Sequence, residues 1–170
     1  NNNLFVNNTI LGLTTGSGRG VVIEGSSDNN IFVNNTIQGI LAVFVSGNSS
    51  GSNFTNTTMI GSTGFEINQT NNVRIESTGF QGTTYSIRTA SANISLIDNP
   101  RITNYSFNNS AMLIRRTGVA SIQFFNTSHA NGTNLSQHVN LSVPNQVSVN
   151  SVASPGLNTS ANITLFSFKT

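Results

Sequence analysis

Asn29-Asn30-Ile31-Phe32-Val33-Asn34-Asn35-Thr36-Ile37-Gln38-Gly39 copies Asn2-Asn3-Leu4-Phe5-Val6-Asn7-Asn8-Thr9-Ile10-Leu11-Gly12 at a distance of 27, with nine of eleven positions identical. Repetition at a period of 20 to 50 residues marks stacked architectures, in which each unit buries its apolar face on the next. The rhythm continues outward from these two copies. Gly20 to Ser27 leads into the second copy. Leu41 to Asn48 leads, 22 residues later, into Asn53-Phe54-Thr55-Asn56-Thr57-Thr58-Met59-Ile60-Gly61. Looser beats follow at Phe65, Ile67, Val73 and Phe80, then at Tyr85, Ile87, Ile94 and Ile102. A last degraded round takes in Ile114, Ile122 and Phe124.

Within each round the apolar residues fall in i, i+2 pairs, such as Val21/Ile23, Val43/Val45 and Phe65/Ile67. That is the spacing of a strand with one face inward. No stretch sustains the i, i+3, i+4 spacing of a helix, and Gly, Asn and Ser punctuate the runs as turns. The expected fold is all-β: a right-handed parallel β-helix of about five to six coils, with coils ~4.8 Å apart. Its interior should hold the columns Phe5–Phe32–Phe54, Ile10–Ile37–Met59 and Val21–Val43–Phe65. Asn suits the turns because it tolerates left-handed backbone, and its amide can bond to the coils above and below. Asn29, Asn30 and Asn72 are the expected members of such inward ladders.

The repeat dissolves near residue 126, which divides the chain into β-helix repeats over 1–126 and a β-rich cap or assembly segment over 127–170. Asn126 to Asn134 reads as a polar loop. Val139 to Val143, Gln146 to Asn150 and Ala161 to Phe168 alternate as half-buried strands that cap the helix or begin a small β-sandwich.

Only 7% of the 170 residues are charged, and the net charge is +2. Soluble domains carry about 25% charged residues. Asn, Ser and Thr take their place, at 28, 23 and 20 residues. With a single adjacent basic pair, Arg115-Arg116, the chain lacks the dense charge that nucleic-acid binding needs. There is no cysteine, hence no disulfide framework or thiolate metal site. No apolar run approaches the ~18 residues of a membrane span. The chain opens at Asn1, already inside a repeat, which predicts a processed or partial product of a longer protein.

Fifteen Asn-x-Ser/Thr sequons are present, at Asn7, Asn34, Asn48, Asn53, Asn56, Asn68, Asn93, Asn104, Asn108, Asn126, Asn131, Asn134, Asn140, Asn158 and Asn162. Chance at this composition gives about seven. Asn-rich and Thr-rich turns explain part of the excess, yet the sequons continue past the repeat. They predict N-linked glycans and an extracellular or cell-surface location.

The segments Gly25-Ser26-Ser27 and Asn29-Asn30-x-Phe32-x-Asn34-Asn35-Thr36-Ile37 resemble the repeat of NosD-type and pectate-lyase-like right-handed β-helix proteins, over roughly residues 1 to 125. The closing Pro155 to Leu165 resembles the segment that follows such helices in large archaeal and bacterial surface proteins. The resemblance implies an extracellular or periplasmic module. The family spans polysaccharide lyases and hydrolases, sugar-binding modules and structural surface proteins, so fold alone does not choose among them.

Lyases and hydrolases of this kind need clustered or paired carboxylates. The chain has only Glu24, Asp28, Glu66, Glu76 and Asp98. Glu24 and Glu66 fall two coils apart, and Arg74 and Glu76 are expected as an exposed cross-turn ion pair. His129 and His138 read as solvated, and Met59 and Met112 as packed, rather than as a copper site. Gly16-Ser17-Gly18-Arg19-Gly20 lacks a following helix and reads as a turn. Phe124-Phe125 offers one sugar-stacking platform in a chain without Trp. No catalytic, cofactor or metal residue is therefore assigned. The reading is a structural glycoprotein of a filament, sheath or surface layer. It polymerises with itself through the helix ends or the C-terminal strands, with sequons covering the outward positions. The alternatives are a polysaccharide-binding module or a non-catalytic part of a carbohydrate-active enzyme.

Overall fold

A computed structural model describes residues 2–98 and 102–166. Thirteen strands build the repeat region: β1 (Leu4–Val6), β2 (Thr9–Leu11), β3 (Arg19–Ile23), β4 (Ile31–Val33), β5 (Thr36–Gln38), β6 (Leu41–Val45), β7 (Asn53–Thr55), β8 (Thr58–Asn68), β9 (Val73–Glu76), β10 (Gly79–Ala90), β11 (Asn93–Ile97), β12 (Tyr105–Asn108) and β13 (Ser110–Arg116). All pair in parallel with the strand one turn away. One sheet runs β1-β4-β7-β9-β11-β13 and the other β2-β5-β8-β10-β12. β3 and β6 stack on the second half of β8. The chain is a parallel β-solenoid. Leu4, Ile31, Asn53, Arg74, Ser95 and Leu113 stand in register, so successive turns take 27, 22, 21, 21 and 18 residues. The five to six expected coils are thus four regular turns and one shortened turn.

The interior columns are those the repeat predicts, and each runs further. Phe5–Phe32–Phe54 continues through Ile75, Leu96 and Ile114. Ile10–Ile37–Met59 ends on Phe80. Val21–Val43–Phe65 continues through Ile87 to Tyr105. The rings of Phe5, Phe32 and Phe54 stack with centroids 4.6 Å apart and planes within 7°. That distance is close to the inter-strand spacing, so register itself sets the stack. Phe32, Phe54, Ile37, Met59, Val43 and Phe65 are all buried, which is the main stabilisation of the turns.

The corners repeat as regularly as the core. Asn7, Asn34, Asn56, Ser77 and Asp98 stack at one bend, all with φ between 48° and 57°. The first four each donate their backbone N–H to the carbonyl of the residue just before the next member, as Asn34 does to Thr55 at 3.0 Å, and Asp98 donates to Arg115 at 2.9 Å. Asn and Asp enter left-handed backbone more readily than most residues, which explains the Asn at this beat. The opposite corner needs glycine for a different reason. A Cβ on Gly61 would lie 2.0 Å from the Gly39 carbonyl oxygen of the turn below.

Two asparagine ladders exist, and one differs from expectation. Asn30 is buried, and its Oδ1 accepts from Asn3 Nδ2 at 2.8 Å. Asn29 and Asn72 instead occupy left-handed turn positions, with φ of 55° and 57°. The second ladder residue is Asn35, 2% exposed. Its Oδ1 accepts from the Asn8 backbone at 2.9 Å and the Asn8 side chain at 3.2 Å, and its Nδ2 donates to the carbonyls of Phe5 and Val33. The strand pleat turns Asn35 inward one residue after the bend at Asn34.

The C-terminal part changes direction. β14 (Ala120–Thr127) runs antiparallel to β13, and β15 (Ala130–Gly132) antiparallel to β12. Ile122 and Phe124 therefore do not form a last parallel coil. They fold back beside Ile114 and Met112 through the Thr117-Gly118 turn. A short helix α1 (Leu135–His138) follows within the segment expected to be all-β. The expected strands at 139–143 and 146–150 reduce to a two-residue antiparallel pair, β16 (Val139–Asn140) and β17 (Ser148–Val149). A 3₁₀ turn (Pro155–Leu157) precedes β18 (Ala161–Leu165), which adds antiparallel to β14. Ser167 and Phe168 of that expected strand lie outside the described residues. Leu135, Val139, Leu141 and Leu157 are buried against the last turn and close the core there.

Candidate functional site

The described carboxylates are spread over the surface and engaged singly. Glu24 pairs with Arg19 at 3.9 Å and accepts from Ser46 Oγ at 3.1 Å. Glu66 pairs with Arg88 at 3.5 Å on the next turn. Arg74 and Glu76 pair at 2.6 Å, along one face of β9 rather than across a turn, because residues two apart on a strand project together. Asp28 accepts from Ser50 N at 2.7 Å and from Ser50 Oγ at 3.2 Å. The Ser50 backbone N–H holds its carboxyl below the ordinary value of 3.8. Asp98 accepts from Thr117 N at 2.8 Å. Glu24 and Glu66 fall in different columns: Glu66 is in register with Phe44 and Val22, two residues before Glu24.

His129 is exposed at a left-handed turn. His138, expected in solvent, is half-buried. Its Nδ1 lies 2.5 Å from the Tyr105 hydroxyl, which also donates to Ser154 Oγ at 3.1 Å. Burial raises the Tyr105 phenol above its ordinary 10.0, partly offset by the bond to Ser154. This trio ties the cap to the last interior column. It joins residues 33 and 49 apart, so no local pattern announces it. Met59 and Met112 are fully buried, as expected. Among the described residues no three His, Cys, Asp or Glu converge on a metal-sized site. Phe124-Phe125 splits across the sheet: Phe124 is buried and Phe125 exposed, so the pair makes no platform. Of the expected turn from Gly16 to Gly20, only Gly16 to Gly18 turns; Arg19 and Gly20 already open β3.

None of the fifteen sequon asparagines is buried: ten are exposed and five, Asn53, Asn68, Asn104, Asn134 and Asn140, are partly buried, whereas the two asparagines buried among the described residues, Asn30 and Asn35, carry no sequon. They do not occupy every outward position. Most sit at bends and strand ends, with Asn7, Asn34 and Asn56 stacked on one corner. The outward column Val22–Phe44–Glu66–Arg88–Ser106 across the middle of the second sheet carries none. Its one aromatic, Phe44, lies under the Arg19 guanidinium at 4.1 Å.

Both ends of the first sheet are open. Phe5, at the start of its interior column, is 37% exposed, with Leu4 and Val6 beside it at 66% and 42%. β18 is the other edge strand, and its Ile163, in register with Ile122, is 55% exposed. Two reversals, at β14 and at β18, restore the original direction, so β18 runs parallel to β1.

No family model, curated protein or solved structure matches this chain. The class established is therefore that of the fold: a parallel β-solenoid with an antiparallel C-terminal cap.

Proposed function

We propose that this chain is a stiff structural segment of an N-glycosylated extracellular surface assembly, a filament, sheath or surface layer. The observation that carries the reading is the open, apolar edge at each end of one sheet, with equal strand direction at both. The β18 edge of one copy can receive the β1 edge of the next as a further parallel strand. Such a head-to-tail contact repeats from copy to copy along the stacking direction of the strands and in that geometry generates a filament. The surface positions of all fifteen sequons support the glycosylated, extracellular part. The likeness of the repeat to NosD-type and pectate-lyase-like proteins, including archaeal surface proteins, belongs to the same reading.

Electron microscopy of the protein from its native source tests the assembly. Filaments or a lattice are expected, and the variant Ile163→Lys should abolish them without lowering the melting temperature, because a charge at an exposed sheet edge blocks pairing. Assemblies that persist in Ile163→Lys refute the β18 contact. Glycopeptide mass spectrometry on the same material should find glycans on several sequons. The polysaccharide-binding alternative lacks an aromatic stacking flank among the described residues. Dispersed particles in the microscope together with a positive glycan array would favour it.

A further inference from the structure

The outside of the solenoid changes character along its length. Four outward columns are apolar in the first turn and polar or charged by the fourth: Leu4–Ile31–Asn53–Arg74, Val6–Val33–Thr55–Glu76, Leu11–Gln38–Ile60–Gln81 and Val22–Phe44–Glu66–Arg88. The first turn thus carries an apolar collar on its outer faces, around the open mouth lined by Phe5, Ile10 and Val21. Leu4 is 66% and Leu11 71% exposed. Among the described residues, every exposed large apolar side chain lies before residue 32 or after residue 124. Exposed apolar surface gathered in one place marks a contact rather than a solvated face.

A strand added to β1 covers the mouth and the sheet edge but leaves these outward faces in water. The collar is covered only by a partner that also reaches around the outside of the first turn. Lipid would cover the apolar faces. It would leave the N–H and C=O groups along the outer edges of β1, β2 and β3 unpaired, which hydrocarbon does not tolerate. A protein that offers both strand pairing and apolar side chains meets both needs. The cap end of this same chain offers both: the β18 edge, and the exposed Phe125, Val143 and Val152.

We propose that the cap of a second copy forms a socket around the first turn, covering Leu4, Val6, Leu11 and Val22 from outside while its β18 pairs with β1. The inference rests on the end-to-end assembly proposed above and adds side walls to that joint. The test is the triple variant Val6→Thr/Leu11→Gln/Val22→Glu of the full chain. Each new residue is one that the same column already carries, at Thr55, Gln38 and Glu66, so the solenoid itself shows that these positions accept them. Circular dichroism checks the fold, and sedimentation over a concentration series gives the threshold for assembly. The threshold should rise at least about tenfold in the variant. Should the triple variant fail to fold, Leu11→Gln alone carries the test, with a smaller rise in the same direction. An unchanged threshold in a folded variant overturns the socket and leaves the strand contact standing, whereas a parent that never assembles removes both. Flotation with phosphatidylcholine vesicles is the second arm. The parent should stay with the soluble fraction, and co-flotation that the triple variant loses would assign the collar to a membrane and overturn the proposal.

Discussion

Replacing Phe54 by Ala probes the interior stack directly. Phe54 is fully buried, stacks on Phe32 at 4.6 Å, and meets Phe65 edge-on at 4.7 Å and 85°. Core Phe→Ala substitutions cost about 3–5 kcal/mol. With two ring partners and no exposure, Phe54 belongs in the middle or upper part of that range, so about 4 kcal/mol is expected. Phe5 is the internal control. It has the same chemistry and the same column, but it is 37% exposed and touches one ring. Its replacement should cost roughly 2 kcal/mol or less. Guanidinium unfolding followed by circular dichroism measures both, with the slope compared as well as the midpoint. In a solenoid the end turn can open on its own, so Phe5→Ala is expected to change the early part of the transition most. Equal losses at the two positions, or a loss below about 1 kcal/mol at Phe54, would mean that the column does not hold the turns together as described.

Gly61→Ala should lower stability by about 3 kcal/mol and the melting temperature by roughly 6–12 °C, since its Cβ would press on the Gly39 carbonyl. An unchanged melting temperature would show that the corner is looser than its geometry. Asn35→Ala should cost about 2 kcal/mol, because it removes the acceptor of the Asn8 N–H and the amide bonds to the Phe5 and Val33 carbonyls from a buried position, while Asn29→Ala should cost only about 1 kcal/mol for its left-handed backbone. Chemical denaturation of the two variants side by side checks that order. Asp28 has a lowered folded pKa, so its contribution is present above the unfolded value of 3.8 and is lost as pH falls through the folded value below it. Melting curves between pH 2 and about 5 should show that loss in the parent and not in Asp28→Asn. Tyr105→Phe removes the hydroxyl that joins His138 and Ser154. It should speed proteolysis of the cap selectively, read as early cleavage between residues 131 and 160.

Residue order alone determined the strands, their parallel stacking and three interior columns. A repeat is itself a register: when Phe5, Phe32 and Phe54 recur on the same beat, stacking like on like is the one arrangement that buries every copy. The left-handed corners were legible for the same reason, since Asn recurs where the backbone must bend. Direction was not legible. Ile122 and Phe124 alternate as any strand does, and alternation is identical for parallel and antiparallel pairing. Only the turn at Thr117-Gly118 decided it. Which asparagine of each pair faces inward depended on the pleat after the bend, which moved the ladder from Asn29 to Asn35. The Tyr105–His138–Ser154 tie, the open edge at Ile163 and the apolar cleft between the cap and the last turn bring together residues distant in the chain. Such contacts come from how the cap lands on the last turn, and no period in the sequence encodes that landing.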